Sequence, residues 1–173
     1  MKRTILGFEL DHEGHWVAQL NCLHGQHVRH RPPFTLRPWT QTEGGRQQML
    51  GTTLECLKCE RRELPEGLVE YRATPEFDEK TLPAGLRRDH ATKQGVWGIL
   101  EVLTGSLRYE ISSPFGHQEQ LDAPAQAVIV PETLHRVVPL GAVRLCVRFL
   151  RADRSEEHTS ELQSPCNLVC RLL

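Results

Sequence analysis

Two short cysteine and histidine arms, more than thirty residues apart, constrain the fold of this chain more than any other feature. Cys22-x-His24 is the first arm and Cys56-x-x-Cys59 is the second. A CxxC turn points two sulfurs to one side, and a second arm completes a tetrahedral set of ligands. The spacing predicts a structural zinc ion held by Cys22, Cys56, Cys59 and one histidine. His24 and His27 are both candidates for the fourth ligand, and we prefer His24.

Residues 1–62 are predicted to form a zinc-binding module of their own. They carry nine Lys and Arg against six Asp and Glu, and few large apolar side chains. A unit of this size buries little apolar surface and usually needs a metal or a disulfide to be stable. Strand-like runs at 5–10 and 16–20, separated by turn residues, predict a β-hairpin. Two unliganded thiols are the alternative, whereas a thioredoxin-like redox role would need a βαβ pattern that is missing here.

A basic loop follows the first arm and has two interpretations. It combines cationic and aromatic side chains, namely His27, Arg29, His30, Arg31, Phe34, Arg37 and Trp39. Such a surface could contact phosphates or single-stranded nucleic acid. A solvated basic face explains the same composition, and we favour it over nucleic acid.

Residues 63–153 are predicted to form a second, mildly acidic module, with ten Lys and Arg against thirteen Asp and Glu. Its short apolar or alternating runs lie at 95–103, 107–111, 127–130, 136–138 and 143–149. Thr104-Gly105 predicts a tight turn between the first two runs. Many short strands without helical periodicity indicate a small antiparallel β-barrel or jelly roll.

His90 and His135 are the candidate metal ligands of this module. In a jelly roll their positions bring two imidazoles together in the barrel mouth, where neutral nitrogens bind divalent metals. Further ligands could come from His117 or Glu101. Alternatively, both histidines are hydrogen-bonded polar residues that line a pocket. Three cationic side chains nearby would favour an oxyanion or carboxylate ligand if they face that pocket: Arg87, Arg88 and Lys93.

Four motifs of the second module carry a family resemblance. They are Leu82-Pro83 to Leu86, His90-x-Thr92-Lys93-x-Gly95-x-Trp97-Gly98, Val102-Leu103-x-Gly105-x-Leu107-x-Tyr109, and Val130-Pro131 with His135. Through them, residues 64–150 resemble the cupin superfamily, in particular the TehB/YeaR-like family associated with tellurite resistance. The resemblance implies a cupin-like β-barrel. The usual cupin metal motif, however, has His-x-His, Glu and a later His, and Thr92 stands here at the second His position.

The first module resembles a small bacterial family of uncharacterised, zinc-ribbon-like domains. The resemblance rests on Trp16, on the string from Cys22 to Pro33, on Arg37-Pro38-Trp39 and on Cys56-x-x-Cys59. It implies no established activity.

Residues 154–173 are predicted not to be natural protein. The eleven residues from Arg154 to Ser164 match the in-frame translation of a common short-read sequencing adapter, and 167–173 fit its continuation. Elsewhere no apolar run approaches the roughly 18 residues of a membrane span. Glu9 and Asp11 interrupt any signal-peptide core. We therefore predict a cytoplasmic protein, in which thiols stay reduced.

Three functions fit these observations. The first is a metal-binding, two-module protein whose barrel binds a small molecule or oxyanion, in tellurite resistance or another stress response. The second is a metal-dependent cupin enzyme, with Fe, Mn, Ni or Zn at His90 and His135. The third is a zinc-module adaptor for nucleic acid or protein.

Overall fold

The computed structural model describes residues 1–113 and 116–153 and is mainly β. The described residues form two β-sheets, two short α-helices and a 3₁₀ helix. This confirms the mainly β class predicted from the sequence. The predicted adapter-derived segment 154–173 lies outside the described residues. None of the described helices is long and apolar enough to cross a membrane.

The first sheet has four antiparallel strands in the order β3-β2-β1-β4. The strands are β1 (Lys2–Leu10), β2 (Trp16–Leu20), β3 (Gly25–His27) and β4 (Thr53–Glu55). The predicted hairpin is confirmed, because β1 and β2 pair up to Leu10↔Trp16. Asp11 closes its turn: Oδ1 accepts hydrogen bonds from the backbone N–H groups of Glu13 at 2.9 Å and His15 at 2.8 Å. This is the usual way in which an Asp side chain stabilises a turn.

Two short helices lie between β3 and β4, and a third follows β4. They are a 3₁₀ helix (Pro38–Gln41), α1 (Glu43–Met49) and α2 (Leu57–Glu60). Thr42 caps α1, since its Oγ1 accepts from the N–H of Gly45 at 3.1 Å. Cys56 immediately precedes α2, and its N–H donates to the carbonyl of Met1 at 2.7 Å. This bond fixes the second cysteine arm against the start of β1.

The second sheet has six antiparallel strands built around two long ones. The strands are β5 (Leu68–Ala73), β6 (Phe77–Asp78), β7 (Trp97–Ile111), β8 (His117–Asp122), β9 (Ala125–Ile129) and β10 (His135–Ala152). The order is β5-β10-β7-β8, with β6 paired to β10 and β9 paired to β7. Alternate side chains of β7 and β10 are buried, so both strands contribute to one apolar core.

The predicted turn at Thr104-Gly105 is wrong. β7 continues through Gly105, and β10 likewise joins two of the predicted runs. The register between the two strands shifts between Pro139 and Val143, opposite Gly105. Gly105 has φ +73°, and a Cβ there would lie 2.0 Å from the carbonyl oxygen of Ala142. The glycine therefore marks an irregularity within a paired strand, a position where glycine is also common.

A hydrophobic cluster joins the two sheets. Trp97 and Val130 of the second half are buried with Ile5, Leu20 and the cysteines of the first. The indole Nε1 of Trp97 donates to the carbonyl of Cys22 at 3.0 Å. Nearby, the Asn21 amide donates to Glu132 at 2.9 Å. The two halves thus bury side chains against each other, while the domain boundary at residue 62 stays a prediction.

Candidate metal centre and ligand cavity

Four buried side chains from the two cysteine arms converge on one point. They are Cys22, His24, Cys56 and Cys59, whose ligand atoms all lie within 4.8 Å of one another. Each Sγ lies 3.4 to 3.6 Å from the Nδ1 of His24, and two of the sulfurs are 4.0 Å apart. Tetrahedral zinc would require about 3.5 Å between sulfur and nitrogen and about 3.8 Å between sulfurs. The four side chains therefore fit one metal ion of this size.

Local structure explains this convergence. Leu23, between the two residues of the first arm, has φ +70°, and its N–H donates to the carbonyl of Leu20. This tight turn between β2 and β3 directs Cys22 and His24 to the same side. In the second arm, α2 begins directly after Cys56 and brings Cys59 one turn later to the same point.

The electrostatics of this group favour a bound cation. Hydrogen bonds from the Cys22 and Cys59 thiols lower the pKa of Cys56, so that one sulfur is readily a thiolate. The pKa of Cys59 is raised by its contacts with Cys22 and Cys56, because a second thiolate is disfavoured beside the first. Burial lowers the pKa of His24, but hydrogen bonds to Cys22 and Cys56 outweigh it and raise the value to about 9. A divalent cation would relieve this crowding of negative charge.

One polar atom of the group has no partner among the described residues. Nε2 of His24 is buried and makes no hydrogen bond within that part of the chain. The imidazole lies edge-on to the Trp97 ring, with centroids 5.3 Å apart. Nδ1, which faces the sulfurs, is therefore the nitrogen available to a metal.

His27, the alternative fourth ligand, lies outside this group. It is exposed at the end of β3, and its Nε2 lies 2.8 Å from Oδ2 of Asp11. Asp11 also belongs, with Glu13 and His15, to a second and more exposed set of metal-binding side chains. The sequence did not single out that set, although its alternating Asp-x-Glu-x-His spacing is visible.

The structure brings His90 and His135 into direct contact. Their backbones form a two-way bridge with N···O distances of 3.0 and 2.9 Å, and their ring centroids are 4.2 Å apart. Nδ1 of His135 lies 2.8 Å from the carbonyl of Thr133, and Nδ1 of His90 lies 2.9 Å from that of Arg88. A carbonyl can only accept, so each Nδ1 carries the proton and each Nε2 keeps its lone pair.

His135 is neutral at neutral pH. Burial, with a smaller effect of nearby His90, lowers its pKa to about 4. A neutral imidazole whose Nδ1–H is held by a carbonyl is the usual form of a metal-binding histidine. The proposed additional ligands bond elsewhere: Glu101 contacts Arg148 and Gln126, and His117 contacts Glu119.

Both histidines line a cavity of about 390 Å³. Most of its wall is apolar, formed by side chains such as Leu100, Val137, Leu145 and Phe149. Arg72 and Lys93 also line it, and neither has an ion-pair partner within residues 1–113 and 116–153. Sequence reasoning missed Arg72, because a single Arg in an alternating strand is ordinarily a solvated one. Of the other predicted cations, Arg87 instead contacts the backbone carbonyl of Glu79.

Each half of the chain is similar to one family model. Residues 72–147 match the model of the TehB-like domain. After this match, we name the half of the chain that contains the second sheet the TehB-like domain. Residues 6–63 match the model of DUF3565, described as a protein of unknown function. Both family resemblances predicted from the sequence are thereby confirmed.

Two solved structures resemble about half of this chain, and only loosely. A crystal structure of a protein from E. coli (strain K12) aligns with a TM-score of 0.49 and 24% identity, over 53% of this chain and 97% of that one. TehB from Haemophilus influenzae aligns with a TM-score of 0.47 and 25% identity, over 50% of this chain and 32% of TehB. A search of curated proteins found no match.

Proposed function

We propose that the TehB-like domain is a cupin-like barrel that binds a small anionic molecule, an oxyanion or carboxylate, in the cavity next to His90 and His135. The observation that carries the proposal is the chemistry of the cavity wall. Two cations without an ion-pair partner among the described residues, Arg72 and Lys93, line an otherwise apolar cavity that also holds two imidazoles. Ligand sites are commonly apolar cavities with a few convergent polar groups of this kind. Arginine suits a planar carboxylate or oxyanion because its guanidinium donates two parallel hydrogen bonds.

The family resemblance suggests which anion to test first. Tellurite is an oxyanion, and the TehB/YeaR-like family is associated with tellurite resistance. Binding without catalysis would suffice for a role in stress resistance. We propose a cytoplasmic location, because reducing conditions keep the three clustered cysteines available as metal ligands.

Calorimetric titration tests this proposal directly. Tellurite, sulfate and malonate are titrated into the wild type, Arg72→Ala, Lys93→Ala and the control Arg144→Ala, whose exposed side chain contacts Glu76. We expect at least one anion to bind to the wild type and the control, and at least tenfold more weakly to the cavity variants. Any reaction of tellurite with thiols is common to all four proteins and cancels in the comparison. Equal binding by wild type and Arg72→Ala would disprove the proposal.

A metal-dependent cupin enzyme is the second candidate. The lone pairs on Nε2 of His90 and His135 favour it, since two neutral imidazoles could hold a divalent ion that polarises substrate or activates water. Thr92, at the place of a further cupin histidine, instead donates its hydroxyl to the carbonyl of Val96 at 2.7 Å. Elemental analysis decides this point: a second metal per chain that disappears in His135→Ala supports the enzyme, and its absence from the wild type excludes this site.

We further propose that the first half holds one zinc ion through Cys22, His24, Cys56 and Cys59. The inter-atomic distances and the crowding of ionisable sulfur support zinc, which prefers tetrahedral thiolate and imidazole ligands. The ion would supply structural stability, because four protein ligands leave no open position for substrate.

A further inference from the structure

A second cleft lies in the first half of the molecule, remote in sequence from the cavity of the TehB-like domain. Its volume is about 320 Å³, and it lies between the β1–β2 turn, the loop after β3 and the 3₁₀ helix. Its wall includes Trp16, the first residue of β2, and four side chains with cationic or imidazole groups: His15, Arg29, His30 and Arg31.

The side-chain groups with hydrogen-bonding capacity in this cleft are mainly donors. Each of the two arginine guanidinium groups can only donate hydrogen bonds. Nδ1 of His30 accepts from the backbone N–H of Arg37 at 2.9 Å, which leaves Nε2–H as a donor. Nδ1 of His15 lies 3.4 Å from Nη2 of Arg29, but a carboxylate oxygen of Glu13 lies near the same nitrogen, so these contacts assign His15 no single tautomer.

No carboxylate of the described residues lines the cleft. The nearest acidic groups, Asp11 and Glu13, lie on the Nδ1 side of His15, at 3.7 and 3.3 Å. Arg31 and Arg37 have no ion-pair partner in the part of the chain that the structure describes. A pocket with cationic donors and no acidic wall selects an anion, and phosphate matches the guanidinium geometry.

An exposed aromatic residue follows the cleft-lining segment three residues after Arg31. Phe34 is 85% exposed, and a backbone bridge between Arg31 and Thr35 holds the loop that presents it. The two N···O distances of that bridge are both 2.8 Å. A phenyl ring on a defined loop, next to arginines that line a cleft, is the arrangement that proteins use to stack a nucleic-acid base beside its phosphate.

We propose that this cleft binds a backbone phosphate of a single-stranded nucleic acid, with a neighbouring base stacked on Phe34. Arg29 and Arg31 contact the phosphate, and His30 donates a further hydrogen bond from Nε2. Contacts with a backbone phosphate and with the face of a base carry no sequence information, so we expect binding to be independent of base sequence. We therefore prefer the nucleic-acid interpretation of the basic loop to the solvated face that composition suggested.

Fluorescence anisotropy with a labelled twelve-nucleotide oligo(dT) tests this site in the full-length, metal-loaded protein. Arg29→Ala/Arg31→Ala removes the phosphate-binding guanidinium groups, and Phe34→Ala removes the stacking surface. Lys58→Ala/Arg61→Ala is the matched control, since it removes two exposed positive charges in and directly after α2, outside the cleft. Phosphate and thymidine monophosphate serve as competitors.

The arginine variant and Phe34→Ala should weaken oligo(dT) binding in different ways. The arginine variant should lower the slope of log affinity against log salt concentration by about 0.7 for each phosphate that the protein no longer neutralises. Phe34→Ala should weaken binding by about tenfold with an unchanged salt slope. The control should keep the wild-type affinity to within about twofold. The proposal is overturned if oligo(dT) does not bind, if the control weakens binding as much as the arginine variant, or if Phe34→Ala binds normally. Competition by phosphate at equal concentration to oligo(dT) would likewise overturn it, by assigning the cleft to a free anion.

Discussion

At the scale of single residues, the chemistry concentrates in two histidine environments of opposite character. His24 lies among sulfurs, and their hydrogen bonds raise its pKa to about 9. His135 lies among apolar side chains, and burial lowers its pKa to about 4. The first environment therefore favours a positive charge and the second a neutral ring. The environment of His24 therefore suits a bound cation. In the environment of His135, the imidazole stays neutral and can offer a lone pair.

Substitution of one cysteine should remove the zinc. We expect one zinc per chain in the wild type, none in Cys56→Ser and one in the control Cys146→Ser, whose thiol contacts Glu101 instead. Structural zinc contributes of order 10 kcal/mol to folding at neutral pH, so the Cys56 variant should also be strongly destabilised. Elemental analysis and thermal unfolding measure both effects. Zinc retained by Cys56→Ser would contradict the assignment.

Zinc affinity can show whether His24 or His27 is the fourth zinc ligand. His24→Ala should lower zinc affinity by at least tenfold, whereas His27→Ala should leave it unchanged, because the His27 ring contacts Asp11 and not the sulfurs. Competition with a chromogenic chelator measures this affinity. The reverse order would show that the exposed histidine moves into the group when metal binds.

His135 should make stability depend on pH. Because its folded pKa of about 4 lies below the unfolded value of about 6.5, the unfolded chain binds a proton first as the pH falls. Stability is therefore complete above pH 6.5 and decreases down to about pH 4, by about 3 kcal/mol in total. His135→Asn should lack this decrease, and the control His12→Asn should keep it. Urea unfolding at both pH values gives the wild-type-minus-variant difference, in which acid release of metal cancels. A constant difference would contradict the predicted shift.

At the scale of elements, the alternating runs and the Asp11–Gly14 turn were enough to predict the β1–β2 hairpin and to locate β7, β9 and β10, but they gave no sign of β3, β4, β5, β6 or β8. They could not predict that β7 and β10 are continuous, because a glycine with positive φ looks the same in sequence whether it ends a strand or lies within one. The pairing partner decides between the two, and that partner is some forty residues away at Val143. The Cys and His arms were predictable for the opposite reason, since metal ligands are restricted to a few residue types at short spacings.

Substitution of Gly105 tests whether β7 continues through this residue and pairs closely with β10. Gly105→Ala should destabilise the protein by at least about 2 kcal/mol, since φ is positive and the new Cβ would meet the Ala142 carbonyl at 2.0 Å. Gly7→Ala is the control, because Gly7 has open space around it within β1. We expect the control to change stability by less than about 1 kcal/mol in urea unfolding. Equal effects would mean that β10 does not approach β7 at this position.

At the scale of the whole molecule, one tryptophan connects the metal centre to the TehB-like domain. Trp97 begins β7, donates to the carbonyl of Cys22 and contacts the ring of His24. β7 then continues into the core that forms the cavity with His135. Disorder at the metal centre should therefore spread along β7, because the first residue of that strand would have neither its hydrogen bond nor its packing.

Removal of the metal should consequently loosen the TehB-like domain. We expect a zinc chelator to raise hydrogen exchange at the start of β7 and in the adjoining part of β9, and to weaken anion binding in the cavity. Trp97→Phe keeps an aromatic ring but cannot donate to Cys22, so it should reduce this coupling while zinc stays bound. The comparison assigns the effect to the indole hydrogen bond and not to general destabilisation. If exchange in β7 is the same with and without zinc, the two halves fold independently, and the shared cluster of apolar side chains transmits nothing between them.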